Sequence, residues 1–202
     1  MYRNVIKRVI DILLSGIGII ILAVPMLIVA LVIFIDEPGL PIFVQKRVGK
    51  NKKLFGLLKF KSMKKDAPHD VPTHLLENPD EYMLRCGKFI RKFSIDELPQ
   101  MLNIFVGHMS IVGPRPALWN QDDLVAEREK YGANSVRPGL TGWAQINGRD
   151  ELEIPEKARL DGEYVKKESF IFDCRCFFGT FIKVLRHDGY VDGKKEESSD
   201  KQ

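Results

Sequence analysis

Charge is missing from one stretch of this chain. Between Asp11 and Asp36 there is no Asp, Glu, Lys, Arg or His, and Ile12 to Ile35 is the only long hydrophobic run. At 1.5 Å per residue a straight helix of this length reaches ~36 Å, enough to cross the hydrocarbon core of a bilayer. The run is too long for the apolar part of a secretory leader, and no small-residue cleavage site follows it. Other scarcities narrow the field further. The three cysteines, Cys86, Cys174 and Cys176, lack regular spacing, so a disulfide framework is not expected, and Cys174-x-Cys176 has no second ligand pair for zinc. The thiols read as small buried hydrophobes in a reducing compartment. No Gly-Lys-Ser/Thr phosphate loop occurs, which argues against a Walker-type NTPase. A net charge of +4 is too small to suggest nucleic acid as a partner. No internal repeat is present.

The flanks of the hydrophobic run bear on its topology. Arg3, Lys7 and Arg8 precede it, and Lys46, Arg47, Lys50, Lys52 and Lys53 follow it. The positive-inside rule therefore draws both ends to the cytoplasm. Pro25 lies near the middle, where it removes one backbone hydrogen bond and clashes with the preceding turn. Gly16 and Gly18 allow a neighbouring element to come close. These residues favour a re-entrant membrane helix over residues 1–36, bent at Pro25, rather than a spanning one.

The remainder reads as an α+β domain over residues 37–188, mostly helical with a few short strands, and a charged, disordered tail over 189–202. Phe43 to Phe60 has β-type runs broken by Gly49 and Gly56, a hairpin pattern. Asp66 to Pro79 is a loop, whose His69 and His74 are ordinary exposed histidines or, less simply, metal ligands. Helices are expected over Glu81–Phe93, with Arg85, Lys88 and Arg91 on one face, and over Asp96–Phe105, ended by Gly107. Further helices are expected over Asn120–Tyr131, Pro155–Lys167 and Phe172–Arg186. The last carries Phe172, Phe177, Phe178 and Phe181, which suits either core packing or an amphipathic helix in the membrane interface.

Chemistry concentrates at Asp96-Glu97, two adjacent carboxylates in a basic neighbourhood. Structural explanations exist: Ser94-x-x-Glu97 matches a capping box, and Asp96 itself suits a helix N-cap with Pro99 in the first turn. Functional ones draw on the surrounding cations. Lys46 to Lys65 is crowded with Lys and Arg, a solvated face or a site for anionic headgroups or phosphates. Gly113-Pro114-Arg115-Pro116 stiffens the backbone around an Arg suited to bidentate phosphate binding. In the turn-rich segment Arg137 to Arg149, glycines permit close backbone approach to a ligand, with Arg137, Gln145, Asn147 and Arg149 as polar contacts.

Taken in order, the motifs resemble a known family. They are Lys7-Arg8-x-x-Asp11, Phe43-x-Gln45-x-Arg47-x-Gly49, Lys59-Phe60-Lys61-Ser62-Met63 and Gly87-x-x-Ile90-Arg91-x-x-Ser94-Ile95-Asp96-Glu97-Leu98-Pro99-Gln100. Asn103, Gly107-x-Met109-Ser110-x-x-Gly113-Pro114-Arg115-Pro116, Arg137-Pro138-Gly139-Leu140-Thr141-Gly142 and Gln145-x-Asn147-Gly148-Arg149 follow. Over nearly its whole length the chain is similar to the small monotopic phosphoglycosyl transferases of the bacterial sugar transferase family. The resemblance implies transfer of a sugar 1-phosphate from a UDP-sugar to polyprenyl (undecaprenyl) phosphate, with release of UMP, at the bacterial inner membrane with the catalytic domain facing the cytoplasm. It implies Asp96 as nucleophile and Glu97 as the ligand of a Mg²⁺ cofactor. Lys59, Arg91, Arg115, Arg137, Gln145, Asn147 and Arg149 would contact substrate, and Asp161 would assist the metal or the site geometry. Where the family has Ser-Pro at the membrane bend, this chain has Val24-Pro25. Larger relatives carry further transmembrane helices and another domain, for which this length leaves no room. Two other readings of the residues stay open: a membrane scaffold that binds anionic lipid without catalysis, and a direct glycosyltransferase that releases UDP.

Overall fold

A computed structural model describes residues 1–68, 78–148 and 151–186. A π-helical turn, Tyr2–Ile6, leads into helix α1, Lys7–Asp36. Pro25 lies inside α1, and the helix continues past it to Asp36. The burial of α1 is inverted relative to a soluble amphipathic helix. Lys7, Asp11 and Ser15, spaced one turn apart, are buried against the rest of the protein. The apolar residues point outward, Ile20 with 78% of its surface exposed, and Ile21, Val24, Leu27 and Ile28 likewise. A core helix of a soluble protein hides its apolar face, so this one requires a nonpolar surrounding that the protein does not supply.

The polar stripe is fully paired. Lys7 Nζ donates to Asp173 Oδ2 at 2.5 Å, and Asp173 also accepts from Tyr2 Oη at 2.5 Å and Tyr164 Oη at 2.8 Å. Asp11 Oδ1 accepts from Ile111 N at 2.9 Å and Ser110 Oγ at 3.1 Å. Arg8 donates to the carbonyls of Ile104 (2.6 Å) and Phe105 (2.8 Å). At the other end, Ile33 is fully buried with Phe60, Leu84 and Ile90, and Asp36 Oδ2 accepts from Cys86 N at 3.2 Å. Both ends of α1 are thus held by one domain.

That domain begins with the expected hairpin. Strand β1, Ile42–Val48, pairs antiparallel with β2, Leu54–Phe60, Ile42 facing Phe60 and Val48 facing Leu54. Helix α2, Gly87–Lys92, is shorter than the pattern over Glu81–Phe93 suggests. Residues 82–84 instead run beside 62–64: Lys64 N donates to Tyr82 O at 2.7 Å and Leu84 N to Ser62 O at 3.1 Å. Tertiary pairing overrides helical periodicity there. The helix expected over Asp96–Phe105 divides into a 3₁₀ turn, Ile95–Glu97, and α3, Gln100–Val106. Gly107 (φ 97°) ends it in the left-handed conformation that glycine adopts without strain. Asn103 ties α3 to the outer edge of β2, accepting from Leu58 N (2.9 Å) and donating to Gly56 O (2.8 Å).

Strand β3, Ser110–Val112, pairs in parallel with β4, Gly139–Thr141; between them lies α4, Asp122–Glu129. A Cβ on Gly139 would sit 2.1 Å from Gly113 N, so only glycine permits this approach. Helices α5 (Trp143–Ile146), α6 (Ile154–Lys167) and α7 (Phe170–Arg186) complete the domain. The described apolar side chains of α7 divide between two faces, and that of Phe181 lies outside the description. Phe172 and Phe177 pack with Val112, Tyr164 and Cys176, whereas Phe178, Ile182 and Ile171 (81% exposed) point outward. The cysteines are all free, and burial pushes the Cys176 thiol up to about 12. The architecture is α+β and mostly helical, as the sequence suggests; His69, His74 and the 189–202 tail lie outside the described residues.

The buried Lys7–Asp173 pair anchors α1. Lys7→Met leaves Asp173 charged and buried, with an expected loss of about 3–5 kcal/mol. Asp173→Asn added to Lys7→Met removes the stranded charge and should recover most of that loss. Thermal unfolding in a single detergent compares the two, at roughly 2–4 °C per kcal/mol for a chain of this size.

Candidate active site

Asp96 and Glu97 sit on the 3₁₀ turn between α2 and α3. Ser94, just ahead, has φ 55°, an uncommon conformation for a residue with a Cβ, costing on the order of 1 kcal/mol. The two structural explanations for the acidic pair do not hold. Ser94 makes no side-chain cap hydrogen bond, and α3 is preceded by Pro99 rather than capped by Asp96. The carboxylates are therefore available for another role.

Their surroundings are cationic and largely dry. Asp96 is only 8% exposed. Lys59, from the end of β2, places Nζ 3.8 Å from Asp96 Oδ2 and 3.3 Å from Glu97 Oε1. Arg115 donates to the same Glu97 oxygen at 2.7 Å. Burial raises the Asp96 pKa above its ordinary value and Glu97 adds to the rise; Lys59, Arg91 and Arg115 oppose it. Burial likewise lowers the Lys59 pKa, against the two carboxylates. Asp96 is thus a carboxylate with little hydration to lose, facing fixed positive charge.

Arg115 is held by its own backbone. Four consecutive carbonyls around it each accept from a different part of the protein. Pro114 O accepts from Gly139 N (2.9 Å) and Ala117 O from Val48 N (2.9 Å). Pro116 O accepts from Arg47 (2.9 Å), whose guanidinium also binds Gln45 Oε1 (2.6 Å). Arg115 O accepts from Arg128 (2.9 Å), which is 5% exposed and ion-paired with the 1%-exposed Asp161 at 2.6 Å. The segment cannot shift without breaking several of these bonds, which preorganises the guanidinium on Glu97.

The other described residues expected at the site fall in three groups. Lys59 and Arg115 join the acidic pair; the charge of Arg91 reaches Asp96, and its Nη1 approaches Met63 Sδ at 3.5 Å. Asp161 touches neither carboxylate and acts through Arg128. Arg137, Gln145 and Asn147 are engaged elsewhere: Arg137 Nε donates to Gly107 O (3.0 Å), Gln145 Nε2 to Leu140 O (2.9 Å), and Asn147 Nδ2 to Trp143 O (2.7 Å). Gly107 lies beyond the far end of α3, and the two amides brace their own turn. Arg149 is outside the described residues. The sequence did not single out Arg128. Its one signal is a spacing of four from Leu124, which puts both on the buried face of α4.

Among the described residues there is no group of three acidic, His or Cys side chains that would cage a metal. An adjacent carboxylate pair nevertheless fits Mg²⁺, which is commonly bound by one or two carboxylates together with substrate phosphates.

Burial raises the Asp161 pKa while Arg128 lowers it. Arg128→Met strands that carboxylate, with an expected cost of about 3–5 kcal/mol. In the double variant Arg128→Met/Asp161→Leu the charge is gone and stability should return to near wild type. Activity should not return, because Arg115 O still lacks its donor; a deficit of about tenfold corresponds to one hydrogen bond's worth of positioning. Unfolding and turnover measured on the same preparations separate the two effects.

Known proteins resemble this chain along most of its length. The family model described as bacterial sugar transferase matches residues 2–187. An uncharacterized sugar transferase, EpsL, of Bacillus subtilis strain 168 is 44% identical over 153 residues, which are 75% of this chain and 73% of that protein. The exopolysaccharide production protein PSS of Rhizobium leguminosarum bv. phaseoli is 38% identical over 193 residues, 90% of this chain and 96% of the relative. The UDP-glucose:undecaprenyl-phosphate glucose-1-phosphate transferase of Escherichia coli K12 is also 38% identical, over 194 residues, 90% of this chain but 40% of that larger protein. With the match running from the first turn before α1 to the end of α7, the chain belongs to the bacterial sugar transferase family.

Proposed function

We propose that the protein transfers a sugar 1-phosphate from a UDP-sugar to undecaprenyl phosphate and releases UMP, with Asp96 as a covalent nucleophile. The observation that carries this reading is the state of Asp96: buried, used by no helix cap, and set among Lys59, Arg91 and Arg115. Relatives named as transferring sugar phosphates to undecaprenyl phosphate support the substrate class.

An Asp96 carboxylate oxygen attacks the β-phosphorus of the donor. The bond from that phosphorus to the bridging oxygen breaks, and UMP leaves with the electron pair. A phosphate oxygen of undecaprenyl phosphate then attacks the same phosphorus, giving the diphosphate-linked sugar and restoring the Asp96 carboxylate. No base is needed for the first step, because a carboxylate is the reactive form. Lys59 and Arg115 hold Glu97 in place and face the charge that develops on the diphosphate. Mg²⁺, bound through Glu97 and the donor phosphates, would neutralise charge on the leaving group.

The two anchors of α1 support a re-entrant topology. Asp11 bonds to β3 and Asp36 to the turn before α2, both on one charged domain. A spanning helix would hold those ends about 37 Å apart across a bilayer. Re-entry from the cytoplasmic face of the inner membrane, bent near Pro25, keeps both ends on the domain's side. The exposed Phe89, Phe93, Leu102, Phe105, Phe178 and Ile182 would lie at the same interface.

Asp96→Asn is expected to abolish UMP release, and Glu97→Gln to reduce it severely in the presence of Mg²⁺. Intact mass after exposure to donor alone should show one sugar phosphate per wild-type chain and none on Asp96→Asn; the absence of any adduct on wild type, quenched so as to preserve acyl phosphates, would point to direct transfer. The raised Asp96 pKa fixes two signs. A folded-state pKa above the unfolded value favours folding most in acid, and that contribution is lost as pH rises through the folded pKa. Asp96→Asn should therefore be at least as stable as wild type at pH 7, while the wild-type rate of adduct formation falls on acidification at a pH above that of an ordinary aspartate.

The topology is tested with single cysteines near Arg3 and near Phe43 in a background without the native three. An impermeant thiol reagent applied to whole cells should label neither. Labelling at the Arg3 site alone would defeat re-entry.

A further inference from the structure

A second group of cations lies away from Asp96. Arg3, Lys7, Arg8, Lys50 and Arg137 converge on one pocket, whose acidic members are Asp11 and Glu168. Several of these charges are already committed. Lys7 is paired with Asp173, Arg3 with Glu168, and Arg8 with two carbonyls of α3. Arg137 and Lys50 differ. Among the described residues, the hydrogen bond of Arg137 is from Nε to Gly107 O, and Lys50 is exposed and makes no ion pair. Arg8 lies close enough to Arg137 that, after burial, this neighbour is the main cause of its lowered pKa. Like charges crowded in a partly dry pocket repel, and an anion between them removes the repulsion.

The position identifies the kind of anion. Arg8 and Arg137 bond to the carbonyls of Ile104, Phe105 and Gly107 at the C-terminal end of α3, whereas Asp96 and Glu97 precede its N-terminal end. The intervening residues place the two sites about 15 Å apart. Beside the pocket, Val9, Phe105 and Val106 are exposed apolar residues, and the charge-free run of α1 starts one turn after Arg8. With α1 placed in the membrane as proposed above, the pocket lies where α1 enters the bilayer, at headgroup depth.

We propose that this pocket binds the phosphate of an anionic membrane phospholipid between Arg137, Arg8 and Lys50, as a second anion site distinct from the one where sugar phosphate moves. The inference rests on the membrane placement of α1 given above and not on the transfer reaction. A phosphodiester headgroup accepts two or more of these donors at once, and its acyl chains would lie along Val9 and the outward face of α1. Free inorganic phosphate shares the donor chemistry but gains nothing from the apolar margin.

The test uses the full chain in nanodiscs of phosphatidylcholine alone or mixed with phosphatidylglycerol, with lipids retained on the released protein counted by native mass spectrometry. Wild type should retain phosphatidylglycerol in preference to phosphatidylcholine. Arg137→Gln should weaken that retention about fivefold, the effect of one cation near a membrane surface. Lys50→Gln, an exposed change that does not threaten folding, should weaken it in the same direction, and Lys88→Gln, paired with Asp80 on another surface, should not. Equal retention by wild type, Arg137→Gln and Lys50→Gln, or no preference for phosphatidylglycerol, overturns the proposal. So does displacement of the lipid by millimolar inorganic phosphate, which would mark a site for soluble anions. Loss of the donor-dependent mass adduct in Arg137→Gln with lipid retention unchanged would return Arg137 to the catalytic site. Failure of wild type to form that adduct would count against the transfer mechanism and leave the lipid result standing.

Discussion

The inverted helix α1 sets the terms for everything else. Its outward surface is apolar from Ile12 to Ile35, and its inward stripe is Lys7, Asp11 and Ser15. An ionised Lys or Asp is costly to bury unless paired and hydrogen-bonded. The domain meets that requirement with Asp173, Tyr2 and Tyr164 on one side and with Ile111 N and Ser110 Oγ on the other. These bonds reach β3 and α7, and through the parallel pairing of β3 with β4 they connect to the segment that carries Arg115. The anchor of the membrane helix and the frame of the candidate active site are therefore one hydrogen-bonded unit. A site fixed in this way would keep a constant height relative to a bilayer, as the proposed transfer from a soluble donor to a lipid-borne acceptor requires.

The same unit explains why the site holds still. Lys59 comes from a paired strand, but Asp96 and Glu97 come from a 3₁₀ turn and Arg115 from a loop, and turns and loops are ordinarily the mobile parts of a fold. Here the strand edge is fixed by Asn103, and the loop by four carbonyl bonds from β1, β4, Arg47 and Arg128. Arg128 and Asp161 form a buried pair that on its own would add little stability. Its contribution is geometric, since the same guanidinium that meets Asp161 also fixes Arg115.

The sequence was legible where a residue's role is local or its pattern periodic. The hairpin, the end of α3 at Gly107, and helices α4, α6 and α7 follow from turn residues and apolar spacing, and their bounds fall close to expectation. Asp96, Glu97 and Arg115 stand out in the sequence by residue type and local stiffness, and they do converge with Lys59, but their roles as nucleophile, metal ligand and phosphate contact come from the resemblance, since spacing in the chain says little about which loops meet. What the sequence does not convey is tertiary. Residues 82–84 carry a helical pattern and are drawn into extended pairing with 62–64. Arg137 lies in a glycine-rich segment suited to a ligand, yet its side chain leaves that segment for the far end of α3. Arg128 reads as one more cation on a polar helix, because its spacing from Leu124 is the one local mark of burial and nothing local points to Asp161.

Charge counting ties the site to its proposed substrate. Lys59, Arg91 and Arg115 slightly exceed Asp96 and Glu97, so the empty site carries a small positive excess. A nucleotide diphosphate would reverse that sign, and the reversal would fall within a few ångströms of the carboxylate proposed to attack it. Two anions in a dry pocket repel strongly. The raised Asp96 pKa already records that its environment disfavours ionisation even before substrate arrives. The proposed divalent cation would restore the balance at the moment the donor brings its charge, and it would do so beside Glu97, the one acidic side chain that Lys59 and Arg115 hold in place. On this argument the cations of the protein serve chiefly to fix geometry, and neutralisation of the donor falls to the metal that arrives with it.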